Sequence, residues 1–479
     1  MIKGHTKIIL TNVETGEQEV HEDDNLVTNA LDKIINIEMS MNHQPNQYIL
    51  PIATNALGGI MLFDGPLTES VDNIHFPTEA HLVGYANTSV NTSDTHRGSY
   101  NSAESGKTDD GFVSVWDFGT SQANGEIKSV ARTHNHGGAC PFYNYMSPDY
   151  WDTITGAPKT DTYWYPIRYD GEYLYMIKNN SNTHQMRLAR TKIPRLRMGV
   201  ADYSDVARSY EVIATWDTFL TNYTYYNHDY EYEQKKNPHT RAVYADVEDR
   251  YIDGGDGYFY VVGWGPTTWC SDYEYDLTYF TIKYGDGSFT KSETIRKHVG
   301  LTGYCDNSYG FYFFNRSWYH IHKGTFYFCD NKRKCINIVP LDNVASYRTI
   351  RILSDDISDY ISYLERVAPR EGGVYFEVYH YTATSWHYRH GIMYPDGTYI
   401  IPNVSYAGTG SYHGNNSQNY GEVWTNDDDL IMWGCARDTY CYFYWAANYL
   451  GTINNLSSPI TKTAAQTMKI IYTLKNVDE

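Results

Sequence analysis

The sequence predicts a mainly β protein, with a β-propeller-like domain inserted into a small, discontinuous α+β domain made from the two chain ends. The first observation behind this is a repeated phrase, in which a Gly or Asp turn runs into alternating aromatic and aliphatic residues. It occurs at Asp170-Gly171 to Ile177, Asp256-Gly257 to Val262, Lys323-Gly324 to Phe328, Gly372-Gly373 to Val378 and Asp428-Asp429 to Trp433. Each reads as a turn feeding a buried strand. The second observation is the tyrosine excess, 48 against 16 Phe in 479 residues. A buried hydroxyl needs a partner, so this excess points to half-buried strands and contact surfaces. The third is a change of texture near residues 160 and 450, where helical periodicity and then the aromatic phrases stop.

The first element is a hairpin, with Thr6 to Leu10 as one strand, Glu14 to Glu17 as its polar turn and Gln18 to His21 as the return. A helix follows. Asn25 can cap it, Leu26, Val27, Ala30, Leu31, Ile34 and Ile35 fall on one face, Glu22, Asp23 and Asp24 suit its positive end, and it stops near Met41. Leu57 to Phe63 reads as a buried strand ending in the turn Asp64-Gly65-Pro66. Residues 86–110 form a long polar loop, either functional or packed on a neighbour. Phe112 to Phe118 and Ile127 to Arg132 alternate, and Asn124-Gly125 is a hairpin signal between them.

The markers Gly171, Gly257, Gly324, Gly373 and Asp429 lie 86, 67, 49 and 56 residues apart. Propeller blades repeat at roughly 40 to 50 residues, so the first two intervals need insertions. The alternative is an open meander or a sandwich. Asn454 to Pro459 reads as a loop, and Met468, Ile470, Tyr472 and Leu474 as a last strand that must pair with another. Its simplest partner is the N-terminal β region. That gives a first domain of residues 1–160 with 450–479 around an inserted domain of residues 161–449.

A net charge of −19 argues against nucleic-acid binding, which needs dense Lys and Arg. No apolar run is long enough for a membrane helix, and the start of the chain lacks an apolar signal core, so synthesis in a cytoplasm is expected. The seven cysteines include no CxxC pair and read as buried thiols. Cys329 and Cys335 could face each other across a short hairpin. Arg187, Arg190, Lys192, Arg195 and Arg197 read as partners of internal ion pairs.

Motifs for chemistry are absent: no HExxH, GxSxG, P-loop or GxGxxG occurs. His134-Asn135-His136 has two imidazoles at i, i+2 but no evident third ligand, so no metal and no cofactor is expected. Pro395-Asp396-Gly397-Thr398-Tyr399 is a single echo of the Asp-x-Gly turn that recurs in some propeller glycosidases. The run Asp427 to Asp429 could hold paired carboxylates, but reads as a charged turn. The positive signal is aromatic. Trp264 and Trp269 flank the loop at 265–268, Trp386 lies in the loop at 382–387, and Tyr223, Tyr225 and Tyr226 fall in an insertion. Rings mixed with Asn, Asp and His suit sugars, because the ring stacks on apolar sugar faces and polar groups take the hydroxyls. These six residues are the candidate glycan-binding set, and no catalytic residue is assigned.

Gly4 to Gly16 and His21 to Leu31 resemble the N-terminal segment of tail or tail-fibre proteins from phages and prophages of Firmicutes and other gut bacteria. Ala56 to Phe63 and Leu456 to Thr463 resemble the same group. The likeness covers about residues 1 to 140 and 450 to 479 and includes no catalytic motif. It implies a virion component, assembled in the host cytoplasm, released by lysis and acting outside the cell. The implied partners are other tail or baseplate proteins, further copies in a homo-oligomer such as a trimer, and a bacterial surface polysaccharide. The expected function is non-catalytic host attachment. A glycan depolymerase and a purely structural baseplate or head-fibre protein are the alternatives.

Overall fold

The computed structural model describes residues 2–31, 53–54, 56–91, 94–135 and, from 142 to 476, the strands named below with the turns 254–257, 284, 323–324, 334, 341–347, 352, 394–398, 401, 448–451 and 463–465. Among these residues it is β throughout, apart from a 3-10 turn at Val344–Ser346 and a helical assignment at Ala30 and Leu31.

The chain ends share one ten-stranded sheet. Its strands are β1 (Ile2–Asn12), β2 (Gln18–Val27), β3 (Gly59–Phe63), β4 (Leu82–Ala86), β5 (Ser99–Tyr100), β6 (Gly106–Lys107), β7 (Gly111–Phe118), β8 (Gly125–Thr133), β30 (Thr452–Lys462) and β31 (Gln466–Asn476), in the order β4-β3-β8-β30-β2-β1-β31-β7-β5 with β6 on β7. The final strand pairs with the first along its whole length, from Ile2 opposite Asn476 to Asn12 opposite Gln466. The sheet bends at β2, which pairs with β1 up to Asn25 and with β30 at Leu26 and Val27. The two halves then face each other across a core of Ile8, Leu10, Trp116, Phe118, Ile470 and Tyr472 against Ile60, Leu62, Ile127, Val130 and Ile460.

Arg132 is buried in this core at 1% exposure. Its guanidinium lies 4.5 Å from the Trp116 ring centre and 4.4 Å from that of Tyr472, and Nε donates to Gly59 O at 3.0 Å. A second bond runs to Ala53 O at 3.3 Å, so two ring faces and two carbonyls hold the charge. Burial still pulls its pKa down to about 10.

Several expectations change here. Asn25, Leu26 and Val27 end a strand rather than start a helix, because cross-strand pairing satisfies the acidic run first. Lys7 stands opposite Glu22 and bonds to it, and His5 Nδ1 meets Asp24 at 3.0 Å. The remainder of the expected helix lies outside the described residues. β7 and β8 do not form a hairpin. Four strands separate them, β7 taking β31 as partner and β8 taking β3 and β30. Asn454 to Pro459 is not a loop but part of β30, where the register breaks between Asn455 and Ile460. Asn455 turns this break to use: its side chain accepts from Leu67 N at 2.8 Å and donates to Leu67 O at 2.7 Å, as a strand neighbour would. The polar loop after β4 is tied internally, with Asn91 Nδ2 donating to Asp94 O and Arg97 O.

Between β8 and β30 the described residues form five further sheets. The first holds β10 (Tyr165–Tyr169), β11 (Tyr173–Asn180), β12 (Gln185–Lys192) and β13 (Glu211–Asp217). The second holds β14 (Tyr251–Asp253), β15 (Tyr258–Pro266) and β16 (Tyr273–Lys283), with β17 (Thr290–Lys291) and β18 (Ile295–Gly303) both on β16. The third holds β19 (Tyr319–His322), β20 (Thr325–Asp330), β21 (Cys335–Pro340) and β22 (Arg348–Arg351). The fourth holds β23 (Tyr363–Arg370), β24 (Gly373–Tyr381), β25 (Trp386–Met393) and β26 (Tyr399–Ile400). The fifth holds β27 (Tyr420–Trp424), β28 (Ile431–Ala436), β29 (Tyr440–Ala447) and then β9 (Phe142–Asn144), from the far side of the sequence.

β10 packs against β14 and β27, β14 against β19, and β19 against β23, so the first strand of each sheet lies toward a shared axis. This is a propeller-like arrangement of five blades, and β9 completes the last. The five aromatic phrases identify the blades one for one, but as second strands (β11, β15, β20, β24 and β28) rather than the innermost. Their turns require glycine where the backbone turns left-handed, at Gly257 (φ 90°), Gly324 (φ 71°) and Gly373 (φ 137°).

Candidate binding face

Strand direction sorts the propeller into two ends. Every paired neighbour within a blade is antiparallel, so each innermost strand runs toward the turn that precedes its second strand. We call the end with those turns proximal. β29 finishes there, at Ala446 opposite Ile431, and leads into β30, while β9 starts there, at Phe142 opposite Ala447. The chain therefore enters and leaves the propeller at the proximal end of blade 5.

The end-sheet packs at the proximal end as well. Its β3 face carries Met61 and Phe63, which join Phe76, Leu82, Ala131 and Ile453 in one core with Tyr375, Ile392 and Tyr394 of blade 4. β3 is buried along its whole length because its other face lines the end-sheet core. Leu82 N donates to the Tyr394 hydroxyl at 2.7 Å. Burial pushes the Tyr394 pKa up, so that hydroxyl keeps its proton. At the rim of this contact His81 lies 3.5 Å from Asp64 and 3.2 Å from Asp396. Asp396 also accepts from Thr398 N and Oγ1, and these bonds, with the one from His81, hold its carboxyl below the usual range. The Asp396-Gly397 turn is thus a docking turn.

Blades 1 and 2 are tied near the same end by a buried polar group. Arg168 of β10 donates to Asp253 of β14 at 3.0 Å and to the Tyr284 hydroxyl at 2.6 Å, and that hydroxyl donates to Asp253. Gly255 N adds a further bond to Asp253 at 3.0 Å. The Arg168 guanidinium lies 4.5 Å from the Tyr284 ring centre, and Phe259 stacks on that ring at 4.3 Å. Burial and the neighbouring Asp253 push the Tyr284 pKa up, so it acts as a fixed donor. Burial pushes the Asp253 carboxyl up and Arg168 opposes it. The oxygens are taken by protein donors, which makes this group a joint between blades.

The distal end carries the other pattern. All five innermost strands begin on tyrosine, at Tyr165, Tyr251, Tyr319, Tyr363 and Tyr420. One tyrosine position per blade therefore lies at the distal start of the innermost strand. The innermost strands start at different positions along their ladders. Tyr251 and Tyr319 pair with the fourth residues of β15 and β20, Tyr165 with the fifth of β11, Tyr420 with the sixth of β28 and Tyr363 with the seventh of β24. This set was not singled out in the sequence, because the strands before the aromatic phrases are short and irregular.

The six residues expected to bind glycan fall as follows. Trp264 lies within β15, opposite Leu277, three residues past the position of Tyr251's partner and so toward the distal end. Trp386 is the first residue of β25, opposite Tyr381, rather than part of a loop. Tyr223, Tyr225, Tyr226 and Trp269 lie outside the described residues. In sequence the three tyrosines fall between β13 and β14, and Trp269 between β15 and β16, and these strands meet their connecting segments at the distal end.

Of the other expectations, His134 is buried against the Tyr449 ring at 5.7 Å, and His136 lies outside the described residues. No metal-binding group of His, Cys, Asp or Glu occurs among the described residues. Arg190 bonds Glu211 at 3.0 Å across the β12–β13 ladder, but as a surface pair with Glu211 62% exposed, and Arg187 is exposed as well. Lys192, Arg195, Arg197 and Asp427 to Asp429 have no described side chains.

No family model and no curated protein matches the chain. Among solved structures it is similar to the β-propeller domain of the Trilobed protease from Pyrococcus furiosus, at 11% identity and a TM-score of 0.25 over 74% of this chain and 94% of that one. It is also similar to a glycosyl hydrolase from Bacteroides ovatus, at 10% identity and a TM-score of 0.27 over 66% and 95%, and to a nidogen/laminin complex, at 11% identity and a TM-score of 0.22 over 69% and 89%.

Proposed function

We propose that this chain is a phage tail-fibre or receptor-binding protein that attaches, without catalysis, to a bacterial surface glycan through the distal mouth of its propeller. The observation that carries the reading is polarity. The end-sheet and both chain crossings occupy the proximal end, and a tyrosine opens each innermost strand at the other. A holder at one end and a tyrosine position in every blade at the other suit a module displayed on a particle. Tyrosine gives rigid, amphipathic contact area at low entropy cost. Several copies on one particle would turn weak single-site binding into firm attachment. The resemblance of the chain ends to tail proteins supplies the particle.

The test is to incubate labelled protein with cells of gut Firmicutes and with their purified wall polysaccharide. The reading expects cells to be decorated, soluble polysaccharide to compete, and the polysaccharide to keep its chain length. Release of oligosaccharide would replace it with the depolymerase reading. Failure to decorate any strain would favour a purely structural virion role.

A further inference from the structure

Two cysteine pairs in this chain have the same spacing and different registers. Cys329 and Cys335 are six residues apart, across the β20–β21 hairpin. There Cys329 stands opposite Ile336 and Cys335 opposite Asp330. The register is off by one, so the two lie on opposite faces of the sheet, and both are buried and outside any disulfide. They cannot join.

Cys435 and Cys441 are also six residues apart, across the β28–β29 hairpin. The ladder runs from Ile431 opposite Ala446 to Gly434 opposite Phe443, then shifts, and continues as Cys435 opposite Cys441 and Ala436 opposite Tyr440. Tyr442 is the residue left over at the bulge. Without the bulge this hairpin would have the off-by-one register of blade 3. With it the cysteines become a directly opposed pair, which shares one face of the sheet. Opposed antiparallel residues have Cα atoms about 4.5 to 5.5 Å apart, within the roughly 4.4 to 6.8 Å that a disulfide spans.

We propose that Cys435 and Cys441 form a cross-strand disulfide when the protein meets a disulfide oxidant such as oxidised glutathione. The thiolate of one cysteine attacks the glutathione disulfide, forming a mixed disulfide and releasing one glutathione thiolate. The second cysteine's thiolate attacks the protein sulfur of that mixed disulfide and releases the second glutathione. Two protein thiols are oxidised to one bond, and one glutathione disulfide is reduced to two thiols. A cytosol keeps the pair reduced, and an oxidising exterior closes it. The bond lies in the blade completed by the short strand β9, so it strengthens the sheet that closes the propeller. This inference is independent of what the distal mouth binds.

The native protein is incubated with oxidised glutathione, quenched in acid, denatured, alkylated and digested with trypsin. Arg437 lies between the two cysteines, so the bond appears as two cross-linked peptides that separate on reduction. Cys435 and Cys441 should lose alkylation together, while Cys329 and Cys335 stay fully alkylated. Oxidation should also raise the melting temperature of the wild type and leave that of Cys435→Ser unchanged. Full alkylation of both cysteines after oxidation would overturn the proposal, as would bonds from either one to Cys140, Cys270 or Cys305.

Discussion

At the residue scale, buried charge in the end-sheet is matched to neutral partners rather than to carboxylates. Lys462 is 1% exposed, and its ammonium donates to Gly119 O at 2.8 Å, Thr120 O at 3.4 Å and Asn124 Oδ1 at 2.8 Å. It closes the turn between β7 and β8. Burial pulls its pKa down to about 8 from 10.5. Between those two values the unfolded chain holds the proton and the folded chain does not. Stability from this group therefore rises with pH from about 8 to 10.5 and is flat below. Denaturant melts of wild type and Lys462→Met across that range should show the wild type gaining on the variant as pH rises. A constant difference would mean that the lysine titrates normally in the fold. Leaving the three acceptors unpaired should also cost the variant about 1 to 3 kcal/mol at pH 7. Gly373 is constrained by backbone geometry instead. Its φ is 137°, and an added Cβ would sit 2.6 Å from Met393 O. Gly373→Ala should destabilise the protein by about 1 to 3 kcal/mol, read as a lower denaturation midpoint.

At the element scale, pattern was legible where one strand has one buried face and a nearby turn. The aromatic phrases each gave a strand, and the alternation of Met468, Ile470 and Tyr472 gave β31 and its need for a partner. Pairing over long range was not legible. Asn124-Gly125 carries a hairpin signal, yet β7 and β8 have partners supplied from more than 300 residues away. Leu26 and Val27 fit a helical stripe, but β30 offers them a ladder that no local pattern reveals. The innermost strands were missed for the same reason. β14 has three residues and β19 four, too short for periodicity, so their tyrosines had no context. The three-residue β9 is the extreme case, visible only through its pairing with β29. Prolines at Tyr143 and Asn144 together remove a backbone donor from that ladder, because neighbouring N–H groups of a strand point to opposite edges. Hydrogen exchange of Tyr143→Pro/Asn144→Pro should show faster exchange in β29, with β1 and β31 unchanged. Equal protection of β29 would mean that β9 does not hold blade 5 closed.

At the scale of the whole molecule, the chain ends meet in one sheet and that sheet buries one half between two cores. One core lies within the end-sheet, and the other is shared with blade 4. The propeller is thus fixed to its holder by Tyr375, Ile392 and Tyr394 on one side and Phe63, Phe76 and Leu82 on the other. His81 and Asp396 mark the edge of the contact. This arrangement fixes which end of the propeller faces the end-sheet.

The most direct test is a titration of surface polysaccharide from a decorated host with wild type, a Tyr363→Ala/Tyr420→Ala double variant at the distal rim, and an Arg348→Ala control. Arg348 donates to Pro395 O at the proximal end. Circular dichroism would first establish that all three are folded. At about 1 kcal/mol for each aromatic contact, the double variant should bind about thirtyfold more weakly, and the control should bind as wild type does. Unchanged affinity in the double variant, or equal loss in the control, would contradict a glycan site at the distal mouth.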